Sequence, residues 1–215
     1  MTTQAKICGI HTTEAMDAAL EGGADYVGLV FFPRSPRHVD VKTAQMLSDR
    51  ARGQAKIVVL FVDPDDRVLD SIVEKVDPDI IQLHGDESPA RVREIKRRVH
   101  LPIFKVIKVA TAKDAHRADV YKDAADLIIF DAKPKREALP GGNGHAFDWH
   151  ALDDIKGSLD FMLSGGLTPD NVGDAIALTG AKAVDVSSGV ETAPGVKDPQ
   201  LISRFLKAVK AAKQG

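Results

Sequence analysis

Short apolar segments rich in β-branched residues alternate with amphipathic, helix-like segments along the whole chain. Several of the apolar segments are hydrophobic at nearly every position, which is typical of strands buried on both faces of a parallel sheet. Their starts are about 25 residues apart, enough for one helix and two short loops between successive strands. The eight predicted strands are Lys6–Ile10, Tyr26–Phe32, Lys56–Val62, Ile80–Gly85, Ile103–Val109, Leu127–Ala132, Phe161–Gly166 and Ala183–Val190.

The segments between the strands carry helix signals. Three of them open with a capping side chain followed by proline, at Ser88–Pro89, Thr168–Pro169 and Asp198–Pro199, which predicts a helix start at each. Gly22 and Gly180 are placed to end helices. The repeated unit is therefore a strand followed by a helix.

Eight such units form either a closed barrel or an open, doubly wound sheet. An open sheet usually carries a glycine fingerprint after its first strand, and the segment Gly9–Thr12 has none. The glycine-rich turns come late, where a barrel builds its phosphate site. With no linker or shift in composition, the sequence predicts one (β/α)8 TIM barrel over residues 1–215, with its active site at the C-terminal ends of the strands.

Composition narrows the class of protein further. The 215 residues include 29 basic and 31 acidic side chains, for a net charge of −2, and the basic ones are scattered, which argues against a nucleic-acid or membrane surface. The single cysteine has no internal disulfide partner, which favours a reducing compartment. No signal-peptide pattern or membrane-length apolar run is present. We expect a cytoplasmic protein.

Glycine-rich turns follow the sixth, seventh and eighth predicted strands. Glycines at such turns let backbone N–H groups approach an anion, and serine hydroxyls add donors. Any one of these turns is also compatible with an ordinary tight loop, but three together favour a phosphate. The predicted phosphate-binding residues are Gly142, Asn143, Gly144, Gly165, Gly166, Ser188 and Gly189.

Two residues at strand ends are candidates for proton transfer. Cys8 closes the first strand; on its own it is more often a small buried hydrophobe. Asp131 follows the buried run Leu127–Phe130, where an uncompensated carboxylate is costly, so it either binds a ligand or is paired with a cation. A thiol and a carboxyl on separate strands of one barrel can divide the roles of base and acid.

Other polar side chains fall near the same edge. Arg37, on a proline-stiffened loop, offers a fork to a substrate carboxylate, although a solvated loop arginine is equally compatible with the sequence. We predict that Lys6 and Asp185 form an ion pair inside the barrel. His84 either orients substrate or satisfies a backbone carbonyl. No His, Asp or Glu cluster has metal-ligand spacing, so we expect no metal.

The order of motifs resembles one family over essentially the whole chain. Tryptophan-biosynthetic phosphoribosylanthranilate isomerases carry similar blocks in the same order, with threonine or serine more common where this chain has Asn143. The matching blocks are Lys6–Ile10, Tyr26–Phe31, Pro33–Arg37, Gln82–Gly85, Phe130–Asp131, Phe147–Trp149, Leu163–Leu167 and Val184–Glu191.

The resemblance implies an Amadori rearrangement of N-(5-phosphoribosyl)anthranilate to 1-(2-carboxyphenylamino)-1-deoxyribulose 5-phosphate. It implies that Asp131 is the general acid, that Cys8 is the general base, and that Arg37 holds the anthranilate carboxylate. The late glycine turns would hold the phosphate. No redox step or electron sink is involved, so no cofactor is expected.

Alternative functions remain open from the residues alone. Other phosphate-binding barrels include indole-glycerol-phosphate synthases, pentose-phosphate epimerases and the sugar isomerase of histidine biosynthesis, which has aspartate where Cys8 stands. A barrel that only binds a metabolite or a protein would tolerate loss of Cys8. The expected partner is a small sugar phosphate, with no nucleic acid or membrane, and the chain is expected to be a monomer or a homodimer.

Overall fold

The structure is a computed structural model that describes residues 3–133 and 147–212. Eight parallel strands pair in sequence order and close into a barrel, because β1 pairs with both β2 and β8. The predicted (β/α)8 barrel is therefore confirmed. The strands are β1 (Gln4–Cys8), β2 (Tyr26–Phe31), β3 (Lys56–Phe61), β4 (Ile80–Leu83), β5 (Ile103–Val109), β6 (Leu127–Ala132), β7 (Phe161–Leu163) and β8 (Ala183–Val186).

Several strands end earlier than predicted. β7 stops at Leu163 rather than Gly166, since Gly165 and Gly166 have φ of +88° and +67°, which an extended strand cannot contain. β4 stops before His84, and β8 stops at Val186. The polar residues predicted to end these strands therefore lie in the loops just above the barrel rim.

Helices surround the barrel. They are α1 (Thr13–Glu21), α2 (Val41–Ala51), α3 (Asp66–Val76), α4 (Pro89–Val99), α5 (Ala112–Ala115), α6 (Val172–Thr179) and α7 (Pro199–Ala211). Short 3-10 helices cover His116–Tyr121, Trp149–Leu152 and Ser188–Val190. In the described parts of the chain, the helical layer beside β5 and β6 therefore consists of short pieces.

Most of the predicted helix boundaries are confirmed. Ser88 and Asp198 cap α4 and α7 ahead of a proline, and Gly180 ends α6 in the left-handed conformation. The predicted start at Thr168–Pro169 is wrong, because α6 begins only at Val172. Just before α6, the backbone N–H of Thr168 donates to Asn171 Oδ1, at 2.8 Å. This hydrogen bond holds residues 168–171 in a turn.

A small hairpin follows β8 that the sequence did not predict. Its strands are β9 (Glu191–Ala193) and β10 (Val196–Lys197), and they pair antiparallel outside the barrel. Because the hairpin comes directly after the last barrel strand, it lies at the same rim as the other C-terminal loops.

Apolar and charged side chains occupy different levels along the axis of the barrel. Apolar residues that include Phe104, Ile129 and Met162 fill the interior. Lys6 is fully buried within the barrel. Cys8, two residues further along the same face of β1, packs with Val30 and Leu60 at the C-terminal end. The apolar interior is therefore interrupted by a buried charge at Lys6, below the C-terminal end.

Within residues 3–133 and 147–212, no helix combines the length and the apolar character needed to cross a membrane.

Candidate active site

Two adjoining cavities open at the C-terminal rim of the barrel. The larger, of about 460 Å³, is lined by residues that include Cys8, Arg37 and His84, and the smaller, of about 330 Å³, by the glycine turns after β7 and β8. Cavities of this size suit small metabolites. Both are bordered by Asp131, Ser164, Asp185 and Ser187, so the two cavities form one continuous site.

Cys8 faces the larger cavity beside a lysine. A Cβ placed on Gly28 would lie 2.9 Å from Cys8 Sγ and 3.2 Å from Lys6 Nζ, so the missing side chain of Gly28 leaves room for both groups. Burial raises the pKa of the Cys8 thiol, the nearby Lys6 charge opposes that rise, and Asp185 adds to it. The thiol is thus a weak acid whose ionisation depends on its charged neighbours.

Lys6 and Asp185 form the predicted ion pair, with Nζ and Oδ1 2.9 Å apart. Burial lowers the pKa of Lys6, but the charges of Asp185 and Cys8 outweigh it and raise the pKa overall. The other oxygen of Asp185 accepts from Ser164 Oγ at 3.3 Å. The pair therefore connects Cys8 to the turn after β7.

Asp131 lies at the end of β6, three strands away from Cys8 around the barrel. Its Oδ1 accepts from the backbone N–H of Ala132 at 2.9 Å. Its Oδ2 lies 3.2 Å from His84 Nε2, close enough for an ion pair, but without the alignment of a hydrogen bond. One carboxyl oxygen is therefore fixed by the backbone, while the other has no hydrogen bond within the described residues.

Gln82 belongs to the same wall and was not predicted as a site residue. It is buried and lines the larger cavity, and its Oε1 has no hydrogen-bond partner in the described part of the chain. Buried polar atoms are normally satisfied, so the unpaired Oε1 makes Gln82 an exception at the wall of the cavity. A glutamine inside an apolar strand was the sequence signal that could have found it.

Arg37 lines the larger cavity but does not stand alone. Its Nε and Nη2 donate to the two oxygens of Glu191, each at 2.7 Å, and Glu191 also pairs with Lys197, at 2.6 Å. Burial raises the pKa of Glu191, but Arg37 and Lys197 outweigh it and lower the pKa overall. The pKa of Lys197 is lowered overall, chiefly by burial, although the Glu191 carboxylate opposes this. Neither Glu191 nor Lys197 was predicted as a site residue.

The smaller cavity is shaped by glycines. A Cβ on Gly165 would collide with the backbone of Ala132, and one on Gly189 would collide with the carbonyl oxygen of Leu167. Gly166 and Ser188 line the same cavity, so four predicted phosphate-binding residues are brought together. Gly142, Asn143 and Gly144 lie outside the described residues.

An apolar wall faces the larger cavity and was also missed from the sequence. It is formed by Val30, Phe32, Leu60 and Val62, at the ends of β2 and β3. The larger cavity therefore joins an apolar region to an arginine, whereas the smaller one is mainly polar. This arrangement suits a ligand with an aromatic ring at one end and an anionic group at the other.

Comparison with known families agrees with the resemblance seen in the sequence motifs. The family model described as N-(5'phosphoribosyl)anthranilate (PRA) isomerase matches residues 5–208. The chain belongs to the N-(5'-phosphoribosyl)anthranilate isomerase family. It is therefore an enzyme, an isomerase of tryptophan biosynthesis.

Individual family members resemble the whole chain. The N-(5'-phosphoribosyl)anthranilate isomerase of Rhodopseudomonas palustris (strain BisA53) is 55% identical over 215 residues, covering 100% of this chain and 99% of the relative. That of Rhizobium meliloti (strain 1021) is 51% identical over 213 residues, covering 99% of each.

Solved structures of the isomerase family agree with the fold. The crystal structure of the Thermotoga maritima phosphoribosylanthranilate isomerase is 34% identical, covers 97% of this chain and 98% of its own, and gives a TM-score of 0.87. Another isomerase structure, in complex with reduced 1-(o-carboxyphenylamino)-1-deoxyribulose 5-phosphate, is 33% identical with the same coverage and a TM-score of 0.84.

Among the residues that the structure describes, no group of three or more His, Cys, Asp and Glu side chains is arranged to hold a metal ion.

Proposed function

We propose that the chain converts N-(5-phosphoribosyl)anthranilate into 1-(2-carboxyphenylamino)-1-deoxyribulose 5-phosphate, with Asp131 as general acid and Cys8 as general base. The observation that carries this proposal is the shared cavity. A thiol and a carboxyl face it from separate strands, between an arginine beside an apolar wall and a set of glycine turns. A ligand with a carboxylated ring, a ribose and a phosphate matches that order of groups.

Asp131 begins the reaction by protonating the furanose ring oxygen. The N–H of Ala132 engages Oδ1, so the transferable proton is held on Oδ2. As the ring C1′–O bond breaks, its electron pair stays on the protonated oxygen, and the nitrogen lone pair forms a C=N bond. The result is an open-chain, protonated Schiff base, and Asp131 is left as a carboxylate.

Cys8 then removes the proton from C2′. The electrons of that C–H bond form a C1′–C2′ double bond, and the electrons of the C=N bond return to nitrogen, which gives an enolamine. Addition of one proton at C1′ and loss of the enol proton yield the ketone, and release of the proton from Cys8 with uptake of one by Asp131 restores the enzyme. The rearrangement moves protons and electron pairs within the substrate, so its redox balance closes without a co-reactant.

Charged neighbours make Cys8 usable as a base. The thiolate is the reactive form of cysteine, and burial opposes it by raising the pKa of Cys8. The Lys6 ammonium, beside the sulfur in the space above Gly28, favours the thiolate. Lys197 contributes a second, weaker attraction.

Binding groups flank the reacting carbons. The turns after β7 and β8 offer backbone N–H groups to the phosphate. From the sequence, Gly142, Asn143 and Gly144 are predicted to bind the phosphate as well. The apolar wall packs against the aromatic ring, and Arg37 engages the ring's carboxylate. Gln82, at the cavity wall with an unpaired Oε1, accepts from the ribose hydroxyls or the anthranilate N–H once its side chain turns towards them.

The setting of the enzyme follows the sequence expectations. We propose a cytoplasmic monomer or homodimer that meets only a small sugar phosphate. The buried free thiol of Cys8 fits a reducing compartment, and the Thermotoga maritima isomerase is described as dimeric in a structure of its monomers.

The test is direct conversion of the substrate. Phosphoribosylanthranilate generated in situ is followed by its fluorescence, and the product is identified by mass spectrometry and proton NMR. We expect rapid loss of fluorescence with formation of the ketose. Loss no faster than spontaneous hydrolysis, in protein shown to be folded, would reject the proposed function.

A further inference from the structure

Glu191 is the most fully engaged carboxylate at the rim of the barrel. Its Oε1 accepts from Arg37 Nε at 2.7 Å and from Lys197 Nζ at 2.6 Å. Its Oε2 accepts from Arg37 Nη2 at 2.7 Å and from the backbone N–H of Gly195 at 3.2 Å. A carboxylate offers about four lone-pair sites, so Glu191 has none left for a ligand.

Lys197 has no donor left either. Its ammonium donates to Ser187 O at 2.9 Å and to Ser187 Oγ at 3.2 Å, in addition to Glu191. An ammonium has three protons, and all three are used. Although Lys197 adds positive charge near the cavity, it has no free proton with which to bind a substrate carboxylate.

Arg37 differs from Lys197 in this respect. A guanidinium carries five N–H groups in a planar fork, and Glu191 takes the edge formed by Nε and Nη2. Within the described residues, Nη1 has no partner, and Nη2 keeps a second proton. The edge formed by Nη1 and Nη2 therefore remains for a second carboxylate, in the same bidentate manner.

The aliphatic part of the Arg37 side chain packs against the backbone at Gly9. Glu191 therefore acts on the orientation of the guanidinium. A Cβ on Gly9 would lie 2.7 Å from Arg37 Cδ, so the stem crosses the backbone next to Cys8. The hairpin reaches the same loop, since a Cβ on Gly195 would lie 2.6 Å from Pro36 O. Glu191, at the start of β9, thereby joins the hairpin to the Arg37 loop.

We propose that Glu191 is a positioning residue: it holds one edge of the Arg37 guanidinium so that the other edge faces the cavity as the seat of the substrate carboxylate. This inference rests on the proposed function, in which Arg37 binds that group. It also accounts for the charges. Arg37 and Lys197 with Glu191 leave one net positive charge, which one substrate carboxylate neutralises inside a buried site.

The test compares two ligands that differ only in the carboxylate. One is reduced 1-(o-carboxyphenylamino)-1-deoxyribulose 5-phosphate, and the other is its counterpart made from aniline, which lacks the carboxyl group. Dissociation constants are measured by calorimetry for the wild type, Glu191→Ala and Glu191→Gln. Asp70→Ala is the matched control, because Asp70 forms the same two-point contact with Arg98 on the surface.

We expect the wild type to prefer the carboxylated ligand, and Glu191→Ala to weaken that ligand at least tenfold, as loss of one partner of a buried charge pair does. The ligand made from aniline should bind within about threefold of wild type, because the phosphate turns are untouched. Glu191→Gln keeps an oxygen acceptor, so its affinity for the carboxylated ligand should lie between those of the wild type and Glu191→Ala. Asp70→Ala should match the wild type.

Other results would overturn the inference. Equal weakening of both ligands would mean that Glu191 only supports the local structure. Unchanged or tighter binding of the carboxylated ligand by Glu191→Ala would mean that Glu191 merely competes with it for Arg37. If thermal unfolding shows that Glu191→Ala is not folded, Glu191→Gln decides, and an unaltered preference in that variant rejects the inference.

The proposed function fails separately. Absence of phosphoribosylanthranilate conversion by the wild type would reject the function whatever the Glu191 variants bind. Conversion by the wild type, with the carboxylate preference intact in Glu191→Ala, would reject only the role of Glu191.

Discussion

Replacement of Lys6 by methionine should disable Cys8 as a base without removing any group proposed to react. The thiolate is stabilised by the Lys6 ammonium and opposed by burial and by Asp185. Without that cation the pKa of Cys8 rises further, so at any given pH a smaller fraction of the enzyme carries the thiolate. Methionine has similar length and no charge, so it retains most of the packing.

The magnitude follows from the space above Gly28. Because Cys8 Sγ and Lys6 Nζ lie 2.9 Å and 3.2 Å from one point, the two atoms are within about 6 Å of each other. At an effective dielectric constant of about 20, two unit charges at that separation interact by about 3 kcal/mol. That corresponds to roughly a 100-fold change in thiolate population, and we expect kcat/KM at neutral pH to fall by about the same factor.

The assay exploits Cys8 as the sole cysteine of the chain. Its rate of alkylation by iodoacetamide, measured by mass spectrometry as a function of pH, reports the thiolate fraction directly. In Lys6→Met the alkylation profile and the kcat/KM profile should both move to higher pH. In Asp185→Asn the alkylation profile should move to lower pH, since an opposing negative charge is lost.

A second buried lysine supplies the matched control. Lys105 is nearly as deeply buried as Lys6 and pairs with Glu87 at 3.0 Å, but its ammonium lies over the Tyr121 ring in the helical layer. Lys105→Met should therefore lower stability without moving the Cys8 profile. An alkylation profile in Lys6→Met that is unmoved, or moved to lower pH, would refute the electrostatic reasoning.

Three further changes test the binding groups and the scaffold. Gly189→Ala should weaken inhibition by inorganic phosphate about tenfold, because a displaced backbone donor loses a hydrogen bond to a charged group; Gly173→Ala, where a Cβ meets nothing within 4 Å, is the control, and equal inhibition constants would contradict the phosphate assignment. Arg37→Lys should raise KM about tenfold with little change in kcat, since an ammonium does not reproduce the fork; a fall in kcat alone would contradict a binding role. Glu87→Ala should lower the free energy of unfolding in urea by about 3 kcal/mol, because it leaves a buried lysine unpaired; the exposed control Asp86→Ala should stay within about 0.5 kcal/mol, and an equal effect of both would contradict the buried pair.

The barrel was predictable because its strands are buried on both faces. Segments such as Ile103–Val109 and Leu127–Ala132 are bounded in the structure as predicted, since predominantly apolar segments leave little choice of register or length. The ends of β4, β7 and β8 were placed too late. At those ends glycine conformations and the approach to the cavity, rather than hydrophobicity, decide where the strand stops.

Within the strands, the site was predictable where a residue type was out of place, and beyond them where glycine turns or a stiffened loop marked the rim. Cys8, Asp131 and the Lys6–Asp185 pair are polar interruptions of apolar runs, and each lies inside the barrel rim. Lys197 gave no such signal, because a lysine in a polar segment is usually solvated and only the folded hairpin buries it. Glu191 was seen as part of a motif, but its contact with Arg37 spans 154 positions, which no local pattern encodes.

The central claim is that Cys8 and Asp131 transfer the protons, and single-turnover rates test it most directly. Phosphoribosylanthranilate is mixed with excess wild type, Cys8→Ser or Asp131→Asn, while calorimetry with the reduced carboxyphenylamino ligand measures binding. We expect each variant to react at least about 100-fold more slowly, the scale of general acid–base catalysis, and to bind the ligand within a few-fold of wild type. A folded variant of either kind that turns over at close to the wild-type rate would contradict the mechanism.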